Sequence, residues 1–310
     1  STFINSSYGQ QQLLRIQKGM SQPDLHLEDI AELLVPRFTH DNEKEIENMI
    51  IKGLNLKKLS QTLYTQAQQL LERELGLDKL VFDKPLSYEA RLSEVVGNNR
   101  VDAEFFNPDL KSLVSHLKQF SKPLSKLFSI TRGRCADTND YRSNEGIPFI
   151  RIKELSFDKP LFLKDSVKIP ASKISIDFPK ANTNDYILAV IGATIGKVNL
   201  IDESLNGSVF SNNTAKLSML GINSFPYAFE LILRSKAIQM QIQQRMAKTA
   251  QEKIGDNELR KILIPILNES EMKKINDLIY DSKKCIVESQ QLLEQAKRRV
   301  EELIEQAVQK

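Results

Sequence analysis

The chain has 310 residues, 41% of them apolar, enough for two or three structural units with cores and too many for a disordered polymer. No apolar run is long enough to cross a bilayer, and residues 1–5 do not lead from a basic stretch into an apolar one, so neither a membrane anchor nor a secretory leader is read. The first residue is Ser1, which is read as a fragment or a processed chain. Cys135 and Cys285 stand far apart, without CxxC or Cys/His spacing, which argues against a disulfide framework and a zinc site. A reduced, cytoplasmic setting is the expectation. His26, His40 and His116 are scattered and read as surface or loop residues, so neither a metal nor a cofactor is expected. The net charge is +3, but residues 118–265 hold 22 Lys and Arg against 14 Asp and Glu, an excess of eight. A basic segment between neutral or acidic flanks suits a polyanionic partner. The plainer alternative is a basic surface with no ligand.

Residues 1–38 contain no complete domain pattern. Residues 39–78 are predicted as a long helix, because Met49, Leu56, Leu63, Leu70 and Leu77 recur every seventh residue. Beside that row runs a second one of small residues, Gly53, Ser60 and Ala67, and the region of Gly76 ends the helix. From 79 to 267 the pattern changes to short β-like runs broken by Pro, Gly and Asn. Strands are predicted at 147–152, 167–169, 186–191, 198–201 and 215–219, and 226–246 reads as one amphipathic helix with Pro in its first turn. Residues 268–310 form a second long helix, with Ile279, Ile286, Leu293, Val300 and Ala307 in one row and Ser282, Ser289, Ala296 and Leu303 in another. Gly and Ser are poor helix formers, but on a seam they let a second helix approach closely. The fold class is therefore α+β, a mixed α/β domain flanked by two long helices that form an antiparallel coiled coil. An ordinary amphipathic helix on a globular core is the alternative for the Leu row.

The chain also repeats itself. Leu34-Val35-Pro36 followed by Ile46 to Ile50 matches Leu263-Ile264-Pro265 followed by Ile275 to Ile279, at a constant offset of 229 residues. At that offset Gln22 falls on Gln251 and Ile30 on Leu259. Each copy is a loop containing Gln, a β-like run ending in Pro, and a long helix. One whole domain-plus-helix unit, preceded by the tail of another, is the organisation this implies. Residues 1–38 are then the tail of a truncated upstream domain, 39–78 the first helix, 79–267 the domain and 268–310 the second helix.

This arrangement resembles the specificity (S) subunits of type I restriction–modification systems, and the equivalent C-terminal regions of some DNA N6-adenine methylases. The resemblance is carried by the two Gln loops, Lys18-Gly19-Met20-Ser21-Gln22-Pro23 and Lys248-Thr249-Ala250-Gln251, and by the Val-Pro and Ile-Pro entries into long helices. Gly146-Ile147-Pro148-Phe149-Ile150-Arg151 and Asp185-Tyr186-Ile187-Leu188 with Gly192-Ala193-Thr194-Ile195-Gly196-Lys197 are similar to the family's strands. It covers essentially the whole chain, and the order and spacing of the motifs are more specific than any one of them. In that family two target-recognition domains alternate with two helices. Each domain reads half of a split DNA sequence, and the helices set the spacing and dock methyltransferase subunits. The resemblance thus implies double-stranded DNA, methyltransferase subunits and restriction subunits as partners. The chain departs from the pattern in having one complete recognition domain. The alternatives are the recognition region of a single-chain methylase or restriction–modification enzyme, and a coiled-coil assembly protein that does not bind DNA.

No catalytic set is read. Asn107-Pro108-Asp109-Leu110 lacks the second Pro and the aromatic residue of an adenine methylase loop and reads as a turn. Residues 192–197 have three residues between the glycines, where a phosphate-binding loop has four, and Val198 follows Lys197 where Ser or Thr is needed. Glu271-Met272-Lys273 has nuclease-like spacing but lies at a helix entry. The expectation is a non-catalytic recognition component.

For DNA contact, Arg forks suit guanine, Asn and Gln amides suit adenine, and Lys and Arg suit phosphates. Arg132-Gly133-Arg134, with Arg142 and Asn144 after it, is the densest supply, and Gly133 is read as allowing close backbone approach. Arg151 and Lys153 alternate with Ile150 and Ile152, placing both on one face of a strand, either a DNA-facing wall or the solvent side of a half-buried sheet. Lys197 is a phosphate candidate. Asn212 and Asn213 lie between strands as base readers or a plain turn. Lys248, Thr249 and Gln251 complete the set, with turn closure as their alternative role.

Overall fold

The computed structural model describes residues 2–18, 24–83, 86–142, 144–162, 164, 166–247 and 252–308. By internal contacts the chain divides into two units, Ser1–Tyr64 with Asp281–Lys310, and Thr65–Tyr280.

The heptad rows form α3 (His40–Glu74) and α10 (Glu269–Val308), most of whose length belongs to the first unit, and α1 (Ser7–Ile16) and α2 (Leu27–Ala31) precede them. Contacts across the seam pair Ser60 with Ser282, Gly53 with Ser289 and Glu45 with Arg299, so one helix descends as the other rises. The pair is antiparallel. The small residues bring the backbones together: a Cβ on Gly53 would lie 3.2 Å from the Leu293 side chain. The hydroxyls of Ser289 and Ser282 then reach across to the carbonyls of Gly53, at 2.6 Å, and Ser60, at 2.8 Å. Each such bond contributes about 1 kcal/mol. Ile46, Ala296, Val300 and Leu303 pack with Phe3 into the apolar end of the seam. The small row, not the Leu row, is the fully buried one: Gly53, Ser60 and Ala67 are buried, whereas Met49, Leu56 and Leu63 are half-buried. Leu77 is off the helix altogether, because Gly76 takes a left-handed φ of 64° and turns the chain after Glu74.

The second unit begins with α4 (Leu92–Asn98), α5 (Ala103–Phe106) and α6 (Pro108–Leu117). Among the described residues its strands make three sheets. β2 (Phe128–Arg132), β8 (Thr214–Met219), β5 (Tyr186–Ala189) and β6 (Val198–Leu200) lie in that order, all antiparallel. β4 (Val167–Ile169), β3 (Ile147–Ile150) and β7 (Val209–Phe210) form a second sheet in which β3 and β7 are parallel. β1 (Ser121–Pro123) pairs with β9 (Leu263–Pro265). Ile150, Ile187, Ala189, Ile201 and Phe210 share one apolar cluster that joins the first two sheets. The predicted helix over 226–246 is two helices, α7 (Pro226–Arg234) and α8 (Lys236–Arg245), followed by α9 (Asp256–Leu259). Ser235 is extended, at ψ 153°, and the Gln239 amide takes the Leu233 carbonyl that a continuous helix would have used. Arg234 and Glu230 form a buried ion pair whose carboxylate also accepts the Leu200 N–H, fixing α7 to β6.

The sequence repeat is also a structural one at the same offset of 229 residues. α1 maps onto α8 end to end, α2 onto α9, and the start of α3 onto the start of α10. An isolated bridge between Lys18 and Asp24 maps onto one between Ala247 and Lys253.

Candidate functional site

Strand register decides which candidate residues share a neighbourhood. Arg132 stands opposite Ala215, Ala189 opposite Thr214 and Leu188 opposite Val198, so β2 and β5 finish where β8 and β6 begin. The parallel strands β3 and β7 finish together, Ile150 opposite Phe210, and residues 211–213 lead directly from β7 into β8. One end of the two sheets therefore carries Arg132, Arg134, Arg151, Lys153, Lys197, Asn212 and Asn213. Ala247 and Lys253 come to the same end, because Lys253 bridges to Ile191 and the Ile254 N–H donates to the Val190 carbonyl. Lys248, Thr249 and Gln251 lie outside the described residues, as does Gln22.

Arg142 and Asn144 are not part of this group. Arg142 bridges to Lys168 of β4, and Arg142 and Asn144 line a separate groove with Gly146 and Pro170, at the end where β3 begins. The Arg142 guanidinium donates to the carbonyls of Asn139 and Tyr141, so it braces its own loop.

Three further expectations change. Arg132 is the last residue of β2, not a loop residue, and its guanidinium is held by Asp256, at 2.6 Å, and the Ile254 carbonyl, at 3.0 Å. Gly133 does serve close backbone approach, but to the chain itself: a Cβ there would lie 2.2 Å from the Ser211 carbonyl oxygen. Arg151 and Lys153 do not alternate along a strand. β3 ends at Ile150, where Glu154 accepts the Arg151 backbone N–H at 2.9 Å and pairs with its guanidinium, pulling the chain into a turn.

Four of the candidates, Arg151, Lys153, Asn212 and Asn213, line an open groove of about 250 Å³. Ala136, Tyr141 and Ile152 add apolar surface to it. The Arg151 guanidinium stacks on the Tyr141 ring, 5.0 Å from its centroid. Arg134 pairs with Asp177, whose carboxyl is held below the usual carboxylate range by a hydrogen bond from Ser175 and by Arg134 itself. Both side chains of that pair are about half exposed, so solvent screens it. Lys153, Lys197 and Lys253 have no ion-pair partner among the described residues, which leaves three cations at this end for an external anion.

Two members of this set escaped the sequence. Tyr141 lies outside every predicted strand, and Lys253 lies just past a loop singled out for its Gln. The Lys-rich composition of 118–265 was the one available signal, and it does not say which lysines remain unpaired. The Gly192 to Lys197 segment is a turn between β5 and β6, with φ of 83° at Gly192 and 94° at Gly196, and Gln239 packs where a Gly196 side chain would lie. Asn107 is a helix cap, its side chain accepting the Asp109 N–H with Pro108 at the first position of α6. Among the described residues no group of three His, Cys, Asp or Glu side chains could hold a metal ion, and no helix is long and apolar enough to cross a membrane.

Among known proteins, residues 120–298, more than half of the chain, match the family described as the type I restriction modification DNA specificity domain. Solved structures similar to the chain include the S subunit of a type I restriction-modification system from M. genitalium, 13% identical over 98% of this chain and 68% of that one, with a TM-score of 0.42. Another was described in work on complex assembly and conformational transition of the type I R-M system, 13% identical over 97% and 68%, TM-score 0.40. A third is the HsdS subunit from Thermoanaerobacter tengcongensis, 14% identical over 99% and 68%, TM-score 0.39. No curated protein matches the chain.

Proposed function

Because the chain belongs to the type I restriction modification DNA specificity family, we propose that it binds duplex DNA sequence-specifically, as the specificity component that brings an adenine methyltransferase and a nuclease to their site. The observation that supports this most is the convergence of loops from both sheets at one end, where a groove is lined by Lys153 and two amides and where Lys197 and Lys253 also have no ion-pair partner among the described residues. Lys153, Lys197 and Lys253 suit phosphates, which give affinity without sequence preference. The groove between Arg151 and Asn213 suits base edges, which give specificity. Arg132 and Gly133 hold the loops in place: the first ties β2 to 254–256, the second lets 210–211 pass close by.

In this reading the chain contributes recognition in the cytoplasm and no methyl transfer of its own, and residues 1–38 correspond to the closing segment of a further recognition domain. The methyltransferase docks on the helices. Ile51, Leu54 and Leu59 on α3 are each about half exposed, an apolar surface that the seam with α10 leaves uncovered.

The test is a salt titration of duplex binding. Lys153→Ala with Lys197→Ala should weaken binding to all sequences alike and reduce the slope of log K against log salt by about 1.8, roughly 0.9 for each phosphate that the removed lysines no longer neutralise. An unchanged affinity and slope would place the phosphate-binding groups elsewhere. Incubating the chain with methyl donor and duplex should give no methylated DNA, and turnover above a protein-free control would refute the non-catalytic assignment.

A further inference from the structure

Given the DNA-binding reading above, on which this step rests, the ion pairs of the interface indicate which bases it reads. Arginine reads guanine by offering two parallel N–H groups to O6 and N7, so its fork must be free. At this end the forks are committed. Arg132 is bound to Asp256 and the Ile254 carbonyl. Arg151 is bound to Glu154, whose side chain is only 2% exposed, and lies against Tyr141. Arg134 has the most exposed pair of the three, with Asp177, and a phosphate can displace that carboxylate more readily than a base edge can. The amides of Asn212 and Asn213, by contrast, have no side-chain hydrogen bond among the described residues, although both line the groove. An amide offers one donor and one acceptor, the complement of adenine N7 and N6. The groove also has apolar surface at Ala136 and Ile152, of the kind that packs against the C5-methyl of thymine.

We infer that Asn212 and Asn213 are the base-reading residues of this groove and that the pair they read is A·T, with the thymine methyl against Ala136 and Ile152. The arginines around them act as struts and phosphate contacts.

The full chain is used to select duplexes from a random library at fixed salt, and the selected site is then rebuilt with base analogues. The expected site has a required A·T pair at which 7-deazaadenine, lacking N7, weakens binding about tenfold, and uracil in place of thymine weakens it severalfold. Asn212→Ala with Asn213→Ala should abolish sensitivity to 7-deazaadenine while keeping salt-dependent binding to random duplex. The analogue arms use the unaltered chain and so do not depend on whether the variant folds. A selected site whose required pairs are all G·C, or binding indifferent to both analogues, overturns the inference and leaves DNA recognition standing. So does a loss of guanine preference in Arg132→Ala with base preference unchanged in the Asn variant. Failure to retain any duplex overturns the DNA-binding reading itself, and this inference with it.

Discussion

The chain contains the same small construction twice, and the two copies differ in what covers them. In the C-terminal copy the Gln241 side chain clamps the extended segment after it, donating to the Leu263 carbonyl at 3.0 Å and accepting the Leu263 N–H at 2.8 Å. In the N-terminal copy Gln12 does the same to Leu34, at 3.1 and 2.9 Å. The Gln therefore stands in for a strand partner, and it does so in both places. Burial is another matter. Leu259, Ile262 and Ile264 are fully buried, with β9 paired to β1, while the counterparts Ile30 and Val35 are 39% and 55% exposed and residues 34–36 have no strand partner among the described residues. Local hydrogen bonds build this motif with or without a core behind it. Its stability depends on the core.

The largest effects should come from apolar truncation. Ile264→Ala should cost about 2–5 kcal/mol, since its side chain is fully enclosed. Val35→Ala, at the equivalent position, should stay within about 0.5 kcal/mol. Urea unfolding followed by far-ultraviolet circular dichroism measures both, the chain having no Trp to report by fluorescence. Equal losses at the two positions would mean that the N-terminal copy is as well covered as the other.

The clamp sharpens the contrast. Gln241 is fully buried while Leu263 is half-buried, so Gln241→Ala leaves a half-buried N–H and carbonyl without their partner and should cost about 1–3 kcal/mol. Leu34 is exposed and water replaces the missing partner, so Gln12→Ala should cost about 1 kcal/mol or less. Hydrogen exchange at the Leu34 and Leu263 amides separates the two outcomes. A similar drop in protection at both would show that the clamp works independently of burial.

These features also mark how far the sequence could be read. The helix seam was legible because heptad spacing is local, and Gly53, Ser60 and Ala67 announced a close approach that the Ser282 and Ser289 hydrogen bonds realise. The repeat was legible at Pro36 and Pro265, yet the Gln12 and Gln241 clamps were not, because a side chain bonding to backbone 22 residues away leaves no periodic trace. The candidate interface was half legible. Asn212 and Asn213 lie between strands as expected, but Arg132 ends β2 and Arg151 and Lys153 lie past the end of β3, and the partners of these residues can be remote in sequence: Asp256 is 124 residues from Arg132. β7 and β2, of two and five residues, were not predicted although β4, of three, was, and Arg142 could not be separated from Arg134 without the register of β3 and β4.

The smallest effect concerns the carboxylate that follows each clamp. Glu258 and Asp29 occupy equivalent positions, and each ties its short helix to the preceding segment, Glu258 through Arg245 at 3.0 Å and Asp29 through Lys18 at 2.8 Å. Burial would push the Glu258 carboxyl up, but hydrogen bonds from Lys261 and Arg245 outweigh it and hold the group below the usual range. A carboxylate whose native pKa is lowered contributes its stability in full above the ordinary value of about 4.3, and loses it as pH falls through the lowered native value. Unfolding monitored from pH 6 down to pH 3 should therefore show a declining midpoint in which Glu258 takes part. Glu258→Gln should lower stability slightly at pH 6 and flatten that decline, so that the variant and the parent converge at acid pH. A variant whose deficit stays constant across the range would mean that Glu258 acts through packing, and that the charge link is not what the two copies have in common.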